Sequence, residues 1–127
     1  MRVLRPGGAL FLSVPWAPNT YDRNVPVSTI YDLALAYDDD ADGAVLAPEA
    51  ERYWRTRVET YDRLVDRENC PFLPADYEEA RAMKGYHWHV WDLALLGETM
   101  ACVGARVEYL DVLDHWHQFV IARKPAR

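Results

Sequence analysis

Arg2-Val3-Leu4-Arg5-Pro6-Gly7-Gly8-Ala9-Leu10-Phe11-Leu12-Ser13-Val14-Pro15 is the stretch whose reading decides the fold. Pro6-Gly7-Gly8 is a turn signal, because Pro presets φ and Gly tolerates positive φ. The run Ala9 to Val14 is apolar except for Ser13. A strand apolar on both faces wants cover on both, which places it in an α/β sheet. Pro15 ends it, since Pro cannot donate to a ladder. This strand starts about eight residues from Met1, too early for upstream residues to supply its second neighbour or its covering layers.

The segment resembles the turn and fifth strand of class I S-adenosylmethionine-dependent methyltransferases. In that family a helix ends in a Leu-(Lys or Arg)-Pro-Gly-Gly turn and the strand runs on to the substrate side. The tail of the chain is similar to that family's last elements. Asp92 precedes a helix to about Val103, with Leu93, Leu96, Met100 and Val103 as its apolar stripe and Cys102 beside it. Gly104 stops that helix. Arg106 to Leu113 reads as a strand with Val107 and Tyr109 on one face and Glu108, Leu110 and Val112 on the other. His117 to Arg123 returns as a strand. The resemblance implies a partial Rossmann-like methyltransferase sheet of three strands, one antiparallel. Its order is first, third, second, with a mostly helical insertion after the first strand. The expected divisions are 2–15 for the turn and strand, 16–86 for the insertion, and 87–127 for the last helix and strand pair.

Composition bounds the alternatives. The chain has 127 residues, one domain's worth, and half are hydrophobic, which excludes disorder by composition. A net charge of −6 argues against a nucleic-acid partner. Cys70 and Cys102 form no C-x-x-C and read as reduced thiols, which suggests a cytoplasmic protein. No apolar run approaches the about 20 residues of a membrane span, and the N-terminus lacks a signal-peptide pattern.

Between the two ends, Trp16 to Asn24 reads as loop leaving the first strand at its carboxyl end, where α/β sheets bind ligands. Trp16 is a candidate substrate contact or a surface connection. Ser28 is expected to cap a helix from Thr29 to Tyr37, with Ile30, Leu33, Ala34 and Tyr37 on one face. A longer helix is expected from Pro48 to Arg67, with Trp54, Val58, Tyr61 and Val65 at i, i+4, i+7, i+11. Asp76 should cap a short helix, Tyr77 to Lys84, which Gly85 ends.

Asp38-Asp39-Asp40-Ala41-Asp42-Gly43-Ala44-Val45-Leu46-Ala47-Pro48-Glu49 fits the calcium-loop pattern D-x-D-x-D-G-x5-E. Asp38, Asp40, Asp42 and Glu49 would give carboxylates, Gly43 the sharp turn and Ala44 its carbonyl. The segment resembles an EF-hand loop, but it has no second copy, and Leu46 offers no ligand. The other reading is a solvated acidic loop capping the next helix.

Tyr86 closes the insertion, and His87-Trp88-His89 follows it. In extended backbone the two imidazoles share a face. The same tripeptide recurs as His115-Trp116-His117, so four histidines suit a transition-metal site, although no carboxylate or thiolate is evidently spaced to complete either pair. His87 and His89 are otherwise candidates for a general base or hydrogen-bond donor, with Tyr86 beside them on the substrate side, or structural histidines with partners. The insertion also resembles those of bacterial methyltransferase-domain proteins sometimes joined to glycosyltransferases. The likeness lies in Arg23-x-x-Pro26-x-Ser28, then Tyr53-Trp54, then His87-x-His89-Val90-Trp91.

The resemblance implies methyl transfer from S-adenosylmethionine to a small-molecule or sugar-type acceptor. The family's donor site is a Gly-rich loop after its first strand and an acidic residue after its second. Here the glycines are 7, 8, 43, 85, 97 and 104, with no G-x-G, so no residue of this chain inherits that role. The expectation is a substrate-side portion, inactive alone, that meets its S-adenosylmethionine-binding half in cis or trans. The truncation would arise from a late start codon or from a separate partner chain. A calcium-binding module and a non-catalytic relic are the rival classes.

Overall fold

The computed structural model describes residues 4–41, 48–70, 73–83 and 88–126, with side chains left aside at 37–41 and 48–50. In chain order these form β1 (Ala9–Pro15), a short 3-10 turn (Ala17–Asn19), α1 (Ile30–Ala41), α2 (Pro48–Leu64), α3 (Tyr77–Ala82), α4 (Leu93–Cys102), β2 (Arg106–Val112) and β3 (His117–Arg123). They make two compact units: the sheet unit, 1–20 with 91–127, and the helical unit, Tyr21–Val90. The expected insertion, 16–86, is shifted at both ends. Trp16 stays with the sheet, and His89 goes with the helices.

In the sheet unit the Pro6-Gly7-Gly8 turn is as the sequence requires. Gly7 takes φ +74, in the left-handed region that favours glycine. The Gly8 N–H donates to the Arg5 carbonyl at 2.8 Å, and a Cβ on Gly8 would sit 2.9 Å from that oxygen. The turn is tied to the far end of β3: the Gly7 N–H donates to the Lys124 carbonyl, and the Lys124 N–H to the Gly8 carbonyl.

The fold is mixed α/β, with a three-stranded antiparallel sheet in the order β1-β3-β2. β3 runs antiparallel to both neighbours. This is the strand order and direction expected from the sequence. Leu10, Leu12 and Val14 turn to the same face as Val120, Ala122 and Leu110, and pack with Leu96 and Met100 of α4. Leu96, Val120 and Ala122 are fully buried. Asp92 caps α4 by accepting the Leu95 N–H at 2.7 Å, and Gly104 past its end takes φ +70.

β1 is covered on one face only, the missing layer that the sequence leads one to expect: Phe11 is 60% exposed on the other, touched by Phe119 with ring centroids 5.4 Å apart. Two expectations fail. β2 does not alternate cleanly. A bulge between Val107 and Tyr109 lets Val107 pair with Ala122 and Tyr109 with Ile121, so Val107 joins the face of Leu110 and Val112. In α4, Leu95 is buried with Leu96 and Met100, whereas Val103 lies past the helix end and is 43% exposed.

In the helical unit Trp54, Val58, Tyr61 and Val65 are all buried, as their spacing requires. Trp54 and Val58 pack with Tyr77 and Ala80 of α3, and with Leu35 and Ala36 of α1. Ser28 does not cap α1. Thr29 does, in a reciprocal capping box: the Asp32 N–H donates to Thr29 Oγ1 at 3.3 Å, and the Thr29 N–H donates to Asp32 Oδ2 at 2.5 Å. That box turns Asp32 inward, 3% exposed, and leaves Ala34 outside. α1 runs on to Ala41, four residues past its expected end and over the first four positions of the expected calcium loop. α2 stops at Leu64 and α3 at Ala82, both earlier than expected. Asp76 caps α3 by accepting the Glu79 N–H at 2.9 Å.

Candidate functional site

Both units hold polar side chains with chemical potential. In the sheet unit one group lies at the carboxyl end of β1. Pro15 pairs with His117, the first residue of β3. The Trp16 N–H donates to the Trp116 carbonyl at 2.8 Å, and the Asn19 side-chain amide donates to the His115 carbonyl at 2.6 Å. These bonds fasten the turn after β1 to the β2–β3 turn. Trp16 is therefore anchored by its backbone, and its indole is partly exposed.

Gln118 locks the same region from inside. Its fully buried amide donates to the Pro15 carbonyl at 3.0 Å and to the Trp91 carbonyl at 2.8 Å. One side chain thus satisfies the carbonyl where the chain leaves β1 and the carbonyl where it re-enters ahead of α4. Gln118 Oε1 is buried with no hydrogen-bond partner, a penalty the two donated bonds must offset.

Asp114 organises the β2–β3 turn. Its Oδ1 accepts the Trp116 N–H at 2.7 Å and the His117 N–H at 2.6 Å. Its Oδ2 lies 3.2 Å from His117 Nδ1. The Trp116 N–H, followed by His117, holds the Asp114 carboxyl below the ordinary aspartate range. The His117 ring lies 6.1 Å from that of Phe119, on the sheet face that also carries Phe11. Trp116 and Leu113 flank the turn, 58% and 56% exposed. His117 therefore has a carboxylate partner, which its tripeptide alone does not suggest. Asp114, three residues upstream, is the signal in the sequence.

In the helical unit one group surrounds Ser28. Its hydroxyl oxygen, 4% exposed, accepts the Val90 N–H at 3.0 Å and an Arg57 N–H at 2.9 Å. Arg57 also donates to the Pro26 carbonyl at 3.1 Å. The Ser28 N–H in turn donates to the Val90 carbonyl at 2.8 Å. This clasp holds the extended Pro26–Ser28 stretch against the end of the insertion and so positions His89. The His89 ring stands edge-on to Trp54 at 5.7 Å. Burial lowers its affinity for a proton, against an opposite pull from Asp32 that Arg57 partly offsets. His89 is thus held as neutral imidazole at pH 7, the form a proton acceptor needs.

Deeper in this unit the Tyr61 hydroxyl donates to Asp22 Oδ1 at 2.5 Å, with both residues buried. Burial and the Asp22 charge push the Tyr21 hydroxyl up to about 12 and the Tyr61 hydroxyl higher still. Both phenols stay protonated, and the pair joins the start of the insertion to α2. Sequence periodicity marks Tyr61 as core but says nothing of Asp22.

Trp16 belongs to the sheet unit and His89 to the helical unit. Tyr86 and His87 lie outside the described residues, as do Asp42, Gly43 and Ala44 of the calcium-loop pattern. Among the described residues no group of three or more His, Cys, Asp or Glu is placed to hold a metal ion. Among them, too, no helix is long and apolar enough to cross a membrane. Neither Gly7 nor Gly8 offers a cradle for S-adenosylmethionine, because their N–H groups are already donated to Lys124 and Arg5. No protein-family model matches the chain, and no curated protein or solved structure matches it.

Proposed function

We propose that this chain is the substrate-side portion of an S-adenosylmethionine-dependent methyltransferase with a Rossmann-like sheet, acting on a small-molecule or sugar-type acceptor. The observation that carries the reading is β1. It is an uncharged, extended strand that, among the described residues, is paired on one edge only, with one face packed on α4 and Phe11 open on the other. Such an edge is a template for further pairing, and natural strands left at an edge usually carry a charge or a proline to blunt it. In β1 the only proline is the last residue. The order β1-β3-β2, with β3 antiparallel to both neighbours, is what the resemblance to class I methyltransferases implies for the last three strands.

On this reading the methyl donor is bound by a separate half that continues the sheet beyond β1. This chain supplies the turn after β1, the β2–β3 turn and the helical unit. Its described residues would bind, orient and deprotonate an acceptor. Catalysis of this kind rests mostly on proximity and orientation.

Calorimetry tests the proposal. Titrating the isolated chain with S-adenosylmethionine should release no binding heat. The in-frame DNA upstream of Met1, or a neighbouring reading frame, should encode a strand followed by a G-x-G loop. That polypeptide, joined or added to this one, should bind the donor. Micromolar binding by the isolated chain would overturn the proposal, as would a joined polypeptide that binds nothing.

A further inference from the structure

The β2–β3 turn holds a constellation of its own, apart from the candidate bases His87 and His89. Asp114 Oδ2 and His117 Nδ1 are 3.2 Å apart. The carboxylate is fixed by two backbone N–H groups, at 2.7 and 2.6 Å, so it cannot swing away from the ring. His117 is half exposed. It stands at the carboxyl end of β1, paired with Pro15, next to the turn that bears Trp16. Ligands of α/β sheets gather at that edge. Leu113 and Trp116, both more than half exposed, give the same turn an apolar surface that a ring-bearing ligand would cover.

Resting on the methyltransferase reading, we propose that Asp114 and His117 form the dyad that takes the proton from the acceptor's O–H or N–H. Asp114 receives Nδ1–H, which leaves the lone pair on Nε2. The acceptor's O–H or N–H bond breaks, and its electron pair stays on oxygen or nitrogen. The proton passes to Nε2, and the imidazolium formed is paired with the Asp114 carboxylate. His117 is the proton acceptor and Asp114 the positioning residue. The acceptor class is a hydroxyl or amine on a ring or apolar scaffold small enough to lie against Trp116.

The dyad is testable in the isolated chain, apart from any donor binding. Diethyl pyrocarbonate acylates unprotonated imidazole nitrogen, and His115, exposed two residues away, is the internal reference. At a pH well above the ordinary imidazole value of about 6.5, where both rings are unprotonated, mass-spectrometric mapping should show His117 labelled faster than His115. Asp114→Asn keeps an oxygen for both backbone N–H groups, so the turn should stay folded while the His117 advantage collapses. Nitrogen-15 spectra of the histidines should show Nδ1 protonated and Nε2 bare at His117. Labelling of His117 no faster than His115, an unchanged rate in Asp114→Asn, or a proton on Nε2 would each overturn the dyad. The calorimetric result is independent, so failure of the dyad and failure of the methyltransferase reading are distinguishable.

Discussion

The two units of this molecule are stabilised in different ways. The core of the sheet unit is apolar: Leu96, Met100, Val14, Val120 and Ala122 face one another across α4 and the strands. Gln118 is the one polar residue buried among the described residues of that unit. The helical unit buries Asp22, Ser28 and Asp32 beside Trp54, Val58 and Tyr61. Its polar residues are matched across long sequence separations, Tyr61 to Asp22 and Arg57 to Ser28. The sheet unit should therefore be sensitive to lost volume and the helical unit to lost partners and to acid.

The largest effect should come from Leu96→Ala. A fully buried leucine between helix and sheet should cost roughly 2–5 kcal/mol, read by chemical denaturation. Hydrogen exchange should show that loss first in β3 and α4; loss first in α2 would break the contrast. Tyr61→Phe should follow. It removes one hydrogen bond to a buried carboxylate at nearly constant volume, for about 1.5–3 kcal/mol. Here protection should fall at the start of the insertion and along α2, while the strands keep theirs.

Acid should separate the units with a smaller effect. Burial holds the His89 proton affinity below its ordinary value of 6.5. The unfolded chain then binds a proton that the folded helical unit refuses, so stability present above about pH 6.5 falls as pH drops below it. In the sheet unit Glu108 is bonded to Arg123 and Arg106 and held at about 2, against an ordinary 4.5. Its contribution is complete above about pH 4.5 and is lost as pH falls towards 2. Residue-resolved exchange from pH 7 to pH 5 should show the helical unit loosening while the sheet holds. Simultaneous loosening would remove the distinction.

The same contrast explains what the sequence makes legible. The Pro6-Gly7-Gly8 turn, β1, β3, the α2 stripe and the Asp76 cap follow from local chemistry and periodicity. The β2 faces do not, because a bulge breaks the period of two without changing composition. Ser28 is misread as a cap because a Thr29–Asp32 box lies one residue on and wins the helix start. The clasp on Ser28 comes from Arg57 and Val90, partners that no local pattern announces. Of the candidate site, His89 is legible as a histidine that could act as a base, but its neutral form depends on burial, which outweighs the opposing pull of Asp32. Asp114 is three residues from His117 in plain view, yet only the β2–β3 turn shows that the two meet.

Among the described residues, the edge of β1 away from β3 is unfilled. The Gly8 carbonyl accepts from Lys124 and the Trp16 N–H donates to Trp116, so even-numbered residues of β1 bond to β3. By the alternation of an antiparallel pair, the N–H groups of Ala9, Phe11 and Ser13 face the free edge. Amide hydrogen exchange on the dilute isolated chain measures this directly. Leu10, Leu12 and Val14 should be protected, while Ala9, Phe11 and Ser13 exchange freely. Equal protection at all six positions would show the edge already filled and would contradict the account.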